Sequence, residues 1–109
     1  MKLMTKDVEK LLEKNPLYSH DEDPLGKTKV LVKYFVGPAT WYVSEGSKDG
    51  DDWIFFGGVH IAGNEPELGE FTLSELEALR VGPLGFRVER DLYLTPGKYT
   101  LADALKMDF

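Results

Sequence analysis

The sequence predicts an α+β fold. It reads as an antiparallel sheet of about five strands, a meander plus one, with short helices at both termini and one between the last two strands. Three observations carry this. Between residues 27 and 71, β-favouring runs are separated by glycine- and proline-rich turns. "TLSELEALR" then switches the apolar spacing to that of a helix, and "FRVERDLYLT" switches it back. The length of 109 residues allows a single domain, 1–109, able to bury roughly two-thirds of its unfolded surface in one core.

The elements follow in order. Thr5 is placed to cap a helix through Lys14, with Val8, Leu11 and Leu12 on one face, and Asn15-Pro16 ends it. Residues 15–27, with two prolines, a glycine and three consecutive acids, read as a loop. In "KTKVLVKYFV" (27–36), Val30, Val32, Tyr34 and Val36 alternate against Lys29 and Lys33, a strand with one wet face. "GPAT" turns the chain into a second strand, "WYVSE" (41–45), and "GSKDGDD" (46–52) reads as a polar hairpin loop. "WIFFGGVHIA" (53–62) has too few polar positions for a one-sided strand, so it is expected inside the sheet and covered on both faces. Gly57-Gly58 should mark a bulge or a close backbone approach there. After "GNEP" comes a short strand, "ELGEF" (67–71).

"TLSELEALR" (72–80) opens with a capping box, Thr72 with Glu75, a cap worth about 1 kcal/mol. Leu73, Leu76 and Leu79 form its apolar face, and Gly82-Pro83 stops it. "FRVERDLYLT" (86–95) is the last strand, pointing Phe86, Val88, Leu92 and Leu94 inward with Arg90 interrupting the row. "TLADALKM" (100–107) is a terminal helix capped by Thr100, and the terminal helices are expected on one sheet face.

Composition narrows the function. The chain is 42% hydrophobic and 12% aromatic, enough for a core. It has no cysteine, which removes disulfides, thiol catalysis and cysteine-based zinc sites and suits a reducing compartment. No signal peptide opens the chain and no stretch approaches the ~20 apolar residues of a membrane span. The expectation is a cytoplasmic protein without membrane contact.

Charge is uneven. Residues 45–77 hold nine acids (Glu45, Asp49, Asp51, Asp52, Glu65, Glu67, Glu70, Glu75, Glu77) against one base, Lys48, while the remainder is slightly basic within a net charge of −6. Such a stretch repels phosphates and either favours a basic protein partner or simply keeps the protein in solution, so nucleic-acid binding is not expected.

Candidate chemistry is sparse. "GVHIAGNEPELGEF" brings His60, Glu65, Glu67 and Glu70 close in sequence, but Glu67 and Glu70 at i and i+3 of a strand take opposite faces, so no metal site is expected. "SHDED" (19–23) lacks the alternating ligands of a calcium loop. Ser19, Ser44, Ser47 and Ser74 lack a nucleophile setting, and no phosphate-binding loop occurs; no cofactor is expected. Arg90, beside Asp91, stands at an inward position. It should be ion-paired, with Glu67, Glu70 or Glu77 as candidates, or else line an anion-binding groove. The aromatics of "WY" (41–42) and "WIFF" (53–56) are expected mostly in the core, though Trp41 or Trp53 at a sheet edge could anchor a partner.

Several segments carry a family resemblance: "PLY" (16–18), "VKYF" (32–35), "WYVSEG" (41–46), "DDWIFFG" (51–57), "ELGEFTLSELE" (67–77) and "ERDLYL" (89–94). In this order and spacing the chain resembles the domain-of-unknown-function family numbered 2958, over nearly its whole length. The stretch "GGVHIAGNEP" departs from the family pattern, being longer and richer in glycine, so His60 is not read as a family feature. The resemblance implies a setting, an accessory protein of a phage, plasmid or other mobile genetic element, and carries no activity to any residue.

The expected function is therefore non-enzymatic: engagement of a basic protein partner, such as a component of host defence, through an acidic face containing Glu45, Asp49, Asp51, Asp52, Glu65 and Glu67. The alternative is a small enzyme or ligand-binding domain with a pocket around Arg90 and the "ELGEF" carboxylates. Nothing in the sequence fixes an oligomeric state.

Overall fold

A computed structural model describes residues 1–106 of the chain. It contains α1 (Lys6–Glu13), β1 (Val32–Val36), β2 (Ala39–Asp49), β3 (Asp52–Ile61), β4 (Glu67–Thr72), α2 (Leu73–Ala78), β5 (Arg80–Val81), β6 (Phe86–Arg87), β7 (Glu89–Arg90) and α3 (Leu101–Leu105). Five strands form an antiparallel sheet in the order β4-β3-β2-β1-β7, and β5 pairs with β6 apart from it. The α+β class, the meander and the three helix positions match the sequence reading. The expected end of the last helix at Met107 lies outside the described residues.

Local chemistry explains the helix starts. Thr5 accepts the Val8 N–H, Thr72 the Glu75 N–H and Thr100 the Asp103 N–H, each through its hydroxyl. Thr100 and Asp103 complete a reciprocal box, since Asp103 takes the Thr100 N–H in return.

Strand bounds differ from expectation: β1 begins at Val32 rather than 27, β2 at Ala39 rather than 41, and Arg80–Val81 forms β5 at the end of the expected helix. The β2–β3 hairpin is tighter than "GSKDGDD" implied: Ser47, Lys48 and Asp49 continue the ladder, and only Gly50 and Asp51 turn. Gly50, at φ +60, takes the position that a two-residue hairpin turn gives to glycine. The bulge lies on β2, where the register shifts between Val43 and Glu45. Gly57, opposite it, is a close backbone approach, one of the two readings its sequence allowed: a Cβ there would overlap the Tyr42 carbonyl oxygen. Finally, the expected strand 86–95 is broken. Asp91 accepts the Tyr93 N–H at 2.8 Å, an Asx turn that takes the chain out of the ladder. Leu92 and Tyr93 are consequently 59% and 96% exposed.

Register fixes what each sheet face carries. On one face Tyr34, Phe55 and Phe71 stack in a row, with ring centroids 6.0 and 5.7 Å apart. Leu3, Val8 and Leu12 from the N-terminus and α1, Leu73 and Leu76 from α2, and Val88 close this core. Burial holds the Tyr34 phenol well above its ordinary pKa, and its hydroxyl donates to the Leu3 carbonyl at 2.7 Å. The other face carries Tyr42, Phe56 and Gly58. Here the expectation of terminal helices on one face is corrected. Gly58 leaves a dent that Leu105 fills, its methyl carbon 2.5 Å from where a Cβ would stand, so α3 packs opposite α1. β3 is thus an interior strand with helix or loop against both faces. No helix among the described residues is long and apolar enough to cross a membrane.

Candidate functional site

The acidic stretch resolves into side chains with different duties. Glu45 does not belong to a surface. It is 2% exposed, and its two carboxylate oxygens accept the backbone N–H groups of Tyr18 at 3.0 Å and His20 at 2.7 Å. The buried charge is thereby hydrogen-bonded. Beside it, Leu17 N–H donates to Ser47 Oγ and Gly46 N–H to the Asn15 carbonyl, so the 15–20 segment is laced to β2.

His20 completes this brace. Its ring nitrogens stand 2.8 Å from Asp23 Oδ2 and 2.8 Å from Asn15 Oδ1. The Asn15 amide is oriented by its own donation to the Leu11 carbonyl at 2.9 Å. Tyr18 occupies the left-handed region at φ 70, and its exposed hydroxyl donates to Glu70 at 3.2 Å. The adjacent Glu70 carboxylate raises the Tyr18 pKa above its ordinary value.

Asp52 is also committed. Its carboxylate accepts Ser74 N–H at 3.0 Å, Ser74 Oγ–H at 2.6 Å and Trp53 N–H at 2.8 Å, tying the hairpin to the first turn of α2. The Ser74 hydroxyl and the Trp53 N–H hold its pKa below the usual carboxylate value.

What remains exposed is Asp49 and Asp51 at the β2–β3 turn, Glu65 before β4, Glu67 and Glu70 on β4, and Glu75 and Glu77 on α2. Glu67 and Glu70 lie on β4, the outermost strand, with Glu65 just before it and Glu75 and Glu77 just after it, whereas Asp49 and Asp51 stand at the β2–β3 turn. Between Asp49 and Leu79 the chain contains no lysine or arginine. Glu67 pairs across with Val59 and Glu70 with Phe56, so the two carboxylates take opposite faces as predicted. Glu65 and Glu67 line an open hollow of about 330 Å³ with Val59, Ile61 and Asn64.

Neither candidate aromatic anchor stands on an edge strand, since β2 and β3 are interior. Trp53 is 7% exposed and belongs to the core, and half-buried Trp41 packs against it. The exposed rings are Tyr18, Phe86, Tyr93 and Tyr99.

Arg90 has no ion-pair partner among the described residues, contrary to expectation. The reason is sheet order. β7 and β4 are opposite edges, four inter-strand steps apart, or about 19 Å at 4.8 Å per step, so Glu67 and Glu70 are out of reach. Asp91 instead approaches Lys33 at 3.7 Å. The buried Arg90 Nε lacks an acceptor, and the side chain borders an apolar groove of about 190 Å³ between α1 and residues 91–96. That groove holds Asp7 and Asp91, not the "ELGEF" carboxylates.

His60 contacts the Asn64 carbonyl at 3.1 Å. Among the described residues no three His, Asp or Glu side chains are grouped to hold a metal ion. Sequence reasoning missed the Glu45 clamp and the His20 brace. The available signal was an acid inside "WYVSEG", an otherwise strand-forming run.

Fold and site together define a small α+β protein with a five-stranded antiparallel sheet, elements packed on both of its faces, and exposed acids on and around an open edge strand. The chain belongs to the family described as "Protein of unknown function (DUF2958)", whose model matches residues 3–106. No curated protein and no solved structure matches it.

Proposed function

We propose that this protein works by binding: it is an accessory protein that engages a basic protein partner along the β4 side. The observation that carries the reading is the segregation of charge on an open edge. Exposed acids run from the β2–β3 turn through Glu65, Glu67 and Glu70 to α2, with no base from Asp49 to Leu79. Such a field attracts lysine- and arginine-rich surfaces and repels nucleic acid. In the mobile-element setting that the family resemblance implies, a basic host-defence protein is a fitting target.

The Arg90 groove is the weaker basis for function. It holds two carboxylates, Asp7 and Asp91, and Asp91 is occupied by Lys33 and Tyr93.

Affinity capture in the natural host tests the reading, with the wild-type chain and an E65Q/E67Q/E70Q variant as paired baits. Proteins with basic surfaces should be held by the wild type, released by salt and absent from the variant. Identical, salt-resistant capture by both baits contradicts the proposal.

A further inference from the structure

We infer that β4 is a strand-addition site, where an extended lysine- or arginine-bearing segment of the partner pairs as a sixth strand of the sheet. This rests on the acidic-edge reading and adds how the partner is held.

The first support is backbone accounting. β4 runs Glu67–Thr72 and pairs only with β3. An antiparallel strand sends half of its N–H and C=O groups to each side. None of the other backbone hydrogen bonds among the described residues reaches the outer side of β4. Six residues offer about 20 Å of unpaired ladder. The opposite edge differs. β7 is two residues long, and Arg90 N–H is already directed at Met1 Sδ at 3.1 Å.

The second support is the character of the edge. Exposed edge strands are usually blunted by proline, bulges, lysine or a covering element. β4 has no proline, its register with β3 is unbroken, and its glutamates guard it, Glu70 with the Tyr18 hydroxyl upon it. Those glutamates select the occupant. In a two-fold antiparallel pairing with a second copy, the residue at the axis faces its own counterpart. Centring on Glu67 or on Glu70 therefore sets two glutamates directly opposite, and centring on Gly69 leaves Glu70 diagonal to Glu70 of the other copy. Like charges directly opposite are destabilising. A strand with bases at the same spacing turns these contacts favourable.

Leu68, 38% exposed, adds an apolar position on the Glu70 face. Gly69 has no atom within 4 Å of where its Cβ would stand, so the Gly69 face is open at the middle of the strand. This is β-augmentation, in which main-chain hydrogen bonds supply affinity and alternate side chains supply specificity.

The test uses the full chain, isotope-labelled, and a valine- and threonine-rich peptide of about ten residues whose lysines match the spacing of Glu67 and Glu70. A second peptide is identical except for N-methyl groups on its central amides, which keep the charge and remove the donors. Strand addition predicts that the first peptide slows hydrogen exchange of outward β4 amides at least about tenfold while β7 amides are unaffected. The methylated peptide should bind at least about tenfold more weakly.

Equal, salt-sensitive binding of both peptides without β4 protection overturns strand addition and leaves the acidic-edge reading standing. Protection of β4 that is indifferent to salt and to E65Q/E67Q/E70Q supports strand addition and removes the acidic reading. Binding of neither peptide at about 1 mM overturns both, and protection of β4 by self-association alone overturns the choice of occupant.

Discussion

Glu45 accepts the backbone N–H of Tyr18 at 3.0 Å, joining the bulged middle of β2 to a residue in the left-handed region of a long loop. With the bond to His20 and the ties from Leu17 to Ser47 and from Gly46 to Asn15, this contact holds a loop with two prolines and three adjacent acids in place. Hydrogen bonds to a buried charged group contribute about 1.5–3 kcal/mol each, and Glu45 makes two of them to backbone donors.

Glu45→Ala should therefore lower unfolding free energy by at least about 2 kcal/mol in urea melts, and Glu45→Gln by less. Amide exchange at Tyr18 and His20 should accelerate in both variants. A melt unchanged by Glu45→Ala would mean that the loop is held elsewhere.

Asp52 gives a pH dependence. Its folded pKa lies below the ordinary 3.8 because Ser74 and Trp53 hydrogen-bond the charged form. A depressed carboxylate pKa contributes stability that is fully present above the unfolded value and is lost as pH falls through the folded one. Thermal stability should thus drop as the protein is acidified below about pH 4, and Asp52→Asn should flatten that drop while lowering the melting temperature at neutral pH. Parallel acid profiles for the two proteins would exclude the Asp52–Ser74 tie as a source.

Arg90→Met should cost less than about 1 kcal/mol or be stabilising. It removes a buried donor without an acceptor, and methionine retains the apolar part of the stem. Removing one partner of a buried ion pair instead costs about 3–5 kcal/mol. A loss of that size in urea melts, recovered by a second change at a carboxylate, would restore the ion pair expected from sequence.

The two adjacent glycines should respond differently. At Gly57 a methyl group meets the Tyr42 backbone, which cannot yield without parting β2 from β3. At Gly58 it meets the flexible end of Leu105. Overpacking costs about 1–3 kcal/mol, and Gly57→Ala should exceed Gly58→Ala, with the latter's effect concentrated in exchange of α3 amides. The reverse order would contradict the packing described.

Much of the fold was legible because it is written in local periods and caps. Val32, Tyr34 and Val36 alternate, Leu73 and Leu76 share a helical face, and Thr5, Thr72 and Thr100 each precede a helix. The misreadings arose where a partner outside the local window decides. Lys48 looks like loop but continues a strand opposite Trp53. The glycine pair announced an irregularity without saying that its partner strand carries the extra residue. Leu92 fits the alternation, yet the Asp91 turn ends the strand first.

The site was legible as a stretch of charge but not as a surface. Burial removes Glu45 and capping removes Asp52, and neither is visible without the fold. Proximity in the chain brought Arg90 near Glu70, whereas strand order puts them on opposite edges.

The most direct measurement is the rate at which the lysine-bearing peptide associates with the wild-type chain and with E65Q/E67Q/E70Q across ionic strength. Exposed charges are screened beyond about 8 Å near 0.15 M salt, and steered association slows steeply as salt rises. The wild-type rate should fall at least about tenfold between roughly 0.02 and 0.3 M salt, and the variant should be slow at low salt with little further dependence. Equal rates for the two proteins, insensitive to salt, would contradict the claim that the acidic β4 side is where this protein meets its partner.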